Sequence, residues 1–303
     1  MIDRSAVREA LTGPVASLKT PFQRDGEIDE KGLKSLIDFS INAGARTVIL
    51  TYGDSLYSLL TDQEVASVTK VVVEHTAKRA MVIAADRQWW TGKTVEFAEY
   101  TRNVGADMLM VLPPNWGASC TLETFVEHYA AVAENIAVMV VTNVFARSPD
   151  LGLKTLEALR DGVNGTMAIK DDICGEFARR MGLLVHDHWA VISGGLKQNH
   201  LDLLPYGCDG YFSTFIQFKP DVTHQYWQAI QAQDYRRVRE IIKNYDMPYF
   251  DFVRALPGGG DAGFHGTLEL FGVAERWRRK PYYTLNDEEM ERLKGFFKSK
   301  GLL

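Results

Sequence analysis

Three observations in the sequence predict a closed (β/α)8 barrel, a TIM barrel, followed by a C-terminal helical extension. Eight short apolar runs recur along the chain. Each is followed by about 10–15 residues with helical spacing, the mark of parallel βαβ units. Eight such units in about 225 residues suit a closed barrel better than an open sheet, and no GxGxxG follows a strand.

In chain order, the predicted strands are residues 15–19, 47–51, 80–85, 108–112, 138–143, 167–170, 190–193 and 210–214. They are short and apolar on both faces, as buried parallel strands are. The helix after Asp29 reads LKSLIDFSINA and stops at Gly44, a glycine C-terminal signal. Thr61 and Glu64 have capping-box spacing at the start of the next. TLETFVEHYAAVAENI places Phe125, Tyr129 and Val132 on one face. Beyond Lys219-Pro220 four helical patterns follow with no strand between them. Pro257-Gly258-Gly259-Gly260 reads as a hinge-like loop among them. The expected division is a barrel over residues 1–225, carrying the active site, and a helical extension over 226–303.

Composition excludes several classes. The chain has 303 residues, 46% hydrophobic and 24% charged, which is ordinary for a globular protein. A net charge of −5 offers no bulk field for nucleic acid or an anionic membrane, so neither is an expected partner. Cys120, Cys174 and Cys208 are odd in number and widely spaced, which fits a reducing cytoplasm and no disulfide framework. MIDRSAVREALTG carries charges where a signal peptide is apolar, and no run approaches the ~20 apolar residues that span a bilayer.

In such a barrel the chemistry sits at the C-terminal ends of the strands. Lys170 closes the apolar run TMAIK. With period two it shares a face with Thr166 and Ala168, leaving Met167 and Ile169 for the helix side. A lysine in the barrel mouth is desolvated, its pKa is lowered and its amine becomes nucleophilic, as Schiff-base chemistry on a ketone requires. The alternative is an ordinary ion pair with Asp171 or Asp172. Other features are ambiguous. Trp89-Trp90 line a pocket or pack on the next helix. Phe264 and His265 form a lid or a core. The run 276–280, RWRRK, reads as a solvated helix end rather than a nucleic-acid patch. His186 and His188 have ligand-like spacing but precede strand 7, at the face opposite the chemistry, so no metal site is predicted.

The order of several motifs resembles the dihydrodipicolinate synthase/N-acetylneuraminate lyase family. They are Thr20-Pro21-Phe22, Asp25-Gly26, Ile28-Asp29, Gly53-Asp54-Ser55 with Leu60-Thr61 and Glu64, Asn143-Val144 with Arg147, Ala168-Ile169-Lys170, Ser193-Gly194, and the run from Gly207 to Ser213. The resemblance implies a barrel, a homo-oligomer (tetramer or dimer), no cofactor, and a 2-oxo acid such as pyruvate bound as an imine to Lys170. It implies that Thr51 relays protons and that Gly53, Asp54 and Ser55 frame the oxo-acid carboxylate. Gly194 and Phe212 fall with the substrate-binding residues, and Arg147 matches an arginine that holds a second carboxylate or else is a solvated loop residue.

The chain departs from the family pattern in three places. Tyr52 stands where the family grips the carboxylate with a hydroxyl and a backbone N–H. Thr142 stands where the family has a general acid/base tyrosine, and Asn115-Trp116 replace a tyrosine pair. Threonine is a poor proton shuttle, so Tyr52 is expected to compensate in part. The expected function is a Schiff-base lyase, aldolase or dehydratase, acting on pyruvate or a deoxy-oxo sugar acid. The alternative is a catalytically impaired member that binds oxo acids without turnover.

Overall fold

The computed structural model describes residues 3–303. Eight strands close a parallel barrel in chain order. They are β1 (Gly13–Ser17), β2 (Thr47–Ile49), β3 (Met81–Ala85), β4 (Met108–Val111), β5 (Ala137–Val141), β6 (Thr166–Asp171), β7 (Ala190–Ser193) and β8 (Gly210–Phe212). β8 returns to β1 through the pairs Gly13–Gly210, Pro14–Tyr211 and Val15–Phe212. β2 to β7 are buried along their whole length, so both faces select Val, Ile, Met and Ala. All eight predicted strands exist, and β7 has the predicted bounds. β1 ends two residues early, at Ser17, and β5 ends at Val141, where residues Thr142–Phe145 turn into a 3-10 helix.

Two compact units make up the chain. One joins the segment ending at Ser17 to Arg46–Phe212 and contains the barrel; the other joins Leu18–Ala45 to Ser213–Leu303. The first unit opens with α1 (Arg4–Leu11), for which the sequence pattern gave no expectation. Asp3 caps it by accepting the N–H groups of Ser5 and Ala6. Arg8 donates to the carbonyls of His186 and Trp189 and pairs with Asp209 at 2.9 Å. Gly210 is required where β8 starts, because a Cβ there would lie 2.0 Å from the Leu11 carbonyl oxygen. His186 is thus tied to Arg8 and Asp209 in a structural cluster.

Between the strands of this unit lie α3 (Asp62–Thr76), α4 (Thr91–Val104), α5 (Leu122–Ala133), α6 (Pro149–Gly162), α7 (Gly175–Val185) and α8 (Lys197–Leu203). The Thr61/Glu64 capping box forms at α3. α5 buries Phe125, Tyr129 and Val132 as its periodicity predicts, and Phe125 meets Phe145 edge-on at 5.4 Å. Each such side chain contributes roughly 1.5–3 kcal/mol by leaving water. Trp89 packs edge-on against Phe97 at 4.9 Å, while Trp90 is exposed.

The second unit holds α2 (Glu30–Asn42), capped by Asp29, and the C-terminal helices. These are α9 (Pro220–Gln231), α10 (Tyr235–Ile241), α11 (Met247–Arg254), α12 (Gly259–Leu270) and α13 (Asp287–Ser299), with a π-helical turn, Ile242–Asp246, joining α10 to α11. Phe218, Tyr249, Phe271 and Phe297 form an aromatic core, with Phe218 and Tyr249 at 5.3 Å and Phe271 and Phe297 at 5.0 Å. Two expectations need correction here, and one open alternative is decided. The glycines after Pro257 are not all loop: Gly258 adopts φ +76° as the cap and Gly259 and Gly260 begin α12. Phe264 and His265 are buried within α12, so they form core and not a lid. The run 276–280 is no helix end. Its arginines tie a non-helical segment down, with Arg276 paired to Glu269 and Asp287, Arg278 to Asp261, and Arg279 donating to the Gly26 carbonyl. Among the described residues no helix is long and apolar enough to cross a membrane.

Candidate active site

A cavity of about 240 Å³ opens at the C-terminal ends of the strands. β4, β5, β6 and β8 contribute Met110, Val141, Lys170 and Phe212. The segments that follow strands add Thr51, Tyr52, Gly53, Asp54, Leu112, Asn143, Asp172 and Gly194. Eight of these twelve are polar or glycine, which suits a small polar ligand more than an apolar one.

Lys170 is 7% exposed and its Nζ points into this cavity. Val141 is its register partner on β5. The pair face inward together, so one residue further on Thr142 and Asp171 face away. The Nζ is held on two sides. The Asp172 carboxylate binds it through both oxygens, and the Phe212 ring lies 4.9 Å away, a cation–π distance. Of the two predicted ion-pair partners, the lysine therefore takes Asp172. Gly194 leaves room for the pair: a Cβ there would lie 2.2 Å from Asp172 Oδ1 and 2.7 Å from Lys170 Nζ.

Asp171 does different work. It is buried, and its carboxylate accepts from Thr142 Oγ1 at 3.0 Å and from the N–H groups of Ile173 and Cys174 at 3.2 and 3.1 Å. Its carbonyl accepts the Gly194 N–H at 2.8 Å. Burial raises its pKa above the usual carboxylate value, against the pull of these hydrogen bonds. The turn so fixed carries Cys174 at φ +66°, a region that costs energy for a residue with a side chain. It returns Asp172 to the lysine. Thr142 also accepts the Asp172 N–H at 2.8 Å. Its hydroxyl thus has its proton on Asp171 and its lone pair on Asp172.

The turn after β2 is built the same way. The Thr51 N–H donates to Ser55 Oγ, and Thr51 Oγ1 accepts the Asp54 N–H, both at 2.9 Å. Asp54 Oδ2 accepts from Ser17 Oγ at 2.6 Å. The N–H groups of Tyr52 and Gly53 have no partner among the described residues, and both residues line the cavity.

Of the predicted site residues, the fold brings Lys170, Thr51, Tyr52, Gly53, Asp54, Gly194 and Phe212 to one cavity. Ser55 is buried beneath the turn it braces. Thr142 is buried behind the lysine, because strand alternation aims it at Asp171. Arg147 is exposed beyond the 3-10 turn, with no ion-pair partner among the described residues, and does not line the cavity. Sequence reasoning left out Asn143, Met110, Leu112 and Val141, and had Asp172 only as a counter-charge. Val141 faces the cavity only because the β5–β6 register sets it beside Lys170, which no spacing along the chain displays; alternation from Val141 then accounts for Asn143.

An eight-stranded parallel barrel with a buried lysine amine in the cavity at its strand ends has the kind of group that class I lyases use to bind a carbonyl substrate as an imine. Residues 10–300 match the dihydrodipicolinate synthetase family, and the chain belongs to that family. The 4-hydroxy-tetrahydrodipicolinate synthase of Chloroherpeton thalassium is 25% identical over 293 residues, covering 94% of this chain and 94% of that one. The enzyme of the same name from an Acidovorax species is 32% identical over 238 residues, covering 76% and 78%. N-acetylneuraminate lyase from Fusobacterium nucleatum has a similar fold, with a TM-score of 0.84 at 17% identity, covering 96% and 99%. So does a prophage protein of the dihydrodipicolinic acid synthase family from E. coli K12, solved with pyruvate, at a TM-score of 0.81 and 22% identity, covering 96% and 99%.

Proposed function

We propose that the protein is a Schiff-base lyase whose substrate is a 2-oxo acid, with Lys170 as the imine-forming residue. The observation that carries this reading is the buried Lys170 amine facing the cavity, opposite a turn that offers two unpartnered N–H groups. Those amides, from Tyr52 and Gly53, suit the carboxylate of the oxo acid. The protonated imine is an electron sink, so a C–C bond or a β-hydroxyl leaves from the adjoining carbons.

The lining also bears on the rest of the substrate. Apart from Lys170 its charged groups are Asp54 and Asp172, and Arg147 lies elsewhere. Two carboxylates accept hydrogen bonds from hydroxyls and repel a second acid group. This supports a hydroxylated chain, a deoxy-oxo sugar acid, over a diacid. Assembly as a homo-oligomer, dimer or tetramer, belongs to the same reading and rests on the family. A second reading, an oxo-acid binder without turnover, is favoured by the Thr142 hydroxyl, which is committed to Asp171 and Asp172.

The test is borohydride trapping with pyruvate and with deoxy-oxo sugar acids, read by intact mass. One adduct is expected, on the peptide carrying Lys170, with consumption of the sugar acid when borohydride is left out. An adduct on Lys19, or none with any 2-oxo acid, overturns the reading. An adduct without consumption selects the binder.

A further inference from the structure

We propose that Asp172 is the acid–base group for imine formation at Lys170, in the place a hydroxyl on the strand-5 segment would take. The proposal rests on the reading of Lys170 as the imine-forming residue. Three observations carry it. First, Asp172 holds Lys170 Nζ through both carboxylate oxygens, so it touches the reacting atom. Second, the two polar groups behind the lysine, Thr142 and Asp171, are already committed. The Thr142 hydroxyl donates to Asp171 and accepts from the Asp172 amide, and the Asp171 carboxylate accepts three hydrogen bonds on the side away from the cavity. Third, Asp172 lines the cavity and its side chain is a quarter exposed, so it reaches both the lysine and a ligand beside it.

The proton path balances. Asp172 takes a proton from the Lys170 ammonium. The free amine adds to the C2 carbonyl, forming the C–N bond, and the carbonyl electron pair becomes an alkoxide. Asp172 returns its proton to that oxygen and removes a second one from nitrogen, giving a neutral carbinolamine. It then protonates the hydroxyl, which leaves as water while the nitrogen lone pair forms the C=N bond. Ammonium plus ketone become protonated imine plus one water, and Asp172 ends as a carboxylate. No outside acid, oxidant or reductant is needed.

The test measures the rate of borohydride trapping with pyruvate in the wild type, Asp172→Asn and Asp172→Ala, with and without formate. General acid–base groups contribute about 10²–10⁴-fold, so both variants should trap at least about 10²-fold more slowly. Formate, a small carboxylate, should restore much of the rate in Asp172→Ala and chloride should not. Trapping at the wild-type rate in either variant overturns the proposal. Slow trapping in a folded Asp172→Ala that formate leaves unchanged also overturns it, because the carboxylate would then only hold the lysine in place. If Asp172→Asn does not fold, the alanine variant decides alone. Wild-type protein that forms no adduct with any 2-oxo acid overturns the underlying reading. A wild-type adduct with unaffected variants overturns this proposal and spares that reading.

Discussion

At the scale of single residues, the site turns on which face of a strand each side chain takes. Lys170 and Val141 face the cavity, and Thr142, one step on, does not. Thr142 is therefore a brace, and its substitution should show as a brace does. Thr142→Val keeps the shape and removes both hydrogen bonds, leaving a buried Asp171 oxygen short of a donor. A loss of about 1–3 kcal/mol in urea unfolding is expected, with Thr142→Ser near the wild type. Equal stability of the valine form would show that these bonds do not hold the turn. Tyr52 has a separate part. It lines the cavity but makes no bond to Lys170 in the structure. Tyr52→Phe should leave pyruvate trapping intact and lower turnover of the full substrate by about 10²-fold. A fall in both would assign Tyr52 to imine formation.

At the scale of elements, the turns after β2, β6 and β7 matter more than the strands. The turn after β7 approaches the lysine with Gly194 and has no space for a Cβ. Gly194→Ala should push Asp172 and Lys170 apart, so trapping should fall at least tenfold while the melting curve stays close to the wild type. Unchanged trapping would mean that the turn moves aside freely. Helix starts obey local chemistry instead. Thr61 caps α3 through a reciprocal pair of bonds with Glu64. Thr61→Ala should cost about 0.5–2 kcal/mol in chemical unfolding without touching trapping. A stability equal to wild type would show that water replaces the cap at no cost.

At the scale of the whole molecule, buried titratable groups give stability its pH dependence. Asp86 is fully buried after β3, where it accepts the Leu112 N–H at 3.0 Å, and burial pushes its pKa up to about 8. The folded chain thus keeps this proton where the unfolded chain releases it. The stability that the protonated group contributes is complete below about pH 4 and is lost as pH rises through about 8. The loss runs at up to about 1.4 kcal/mol per pH unit. His128 works the other way. Burial lowers its pKa to about 4, so its contribution is present above pH 6.5 and is lost as pH falls toward 4. Urea unfolding at several pH values should show Asp86→Asn losing the decline between pH 7 and 8 that the wild type shows. A parallel decline in both proteins would mean that Asp86 does not set it.

The sequence by itself determined the strand–helix alternation, the cap at Thr61, the start of a helix after Asp29, and the placing of Lys170 at a strand end. These depend on period, propensity and nearest neighbours, which a single chain displays. Even so, it placed the end of the strand carrying Val141 two residues too far, and it did not say which face of that strand turns inward, so the outward aim of Thr142 was not legible. Tertiary structure decided the rest. It chose Asp172 over Asp171 as the partner of the lysine, because three hydrogen bonds and a strained Cys174 set the direction of one turn. It left Arg147 outside the cavity and buried His265 in a helix. Side-chain aim at a strand end is set by register with the neighbouring strand, and β5 and β6 are joined by a helix of 14 residues before they pair. That pairing is invisible in sequence order, and it is what places a carboxylate against the amine.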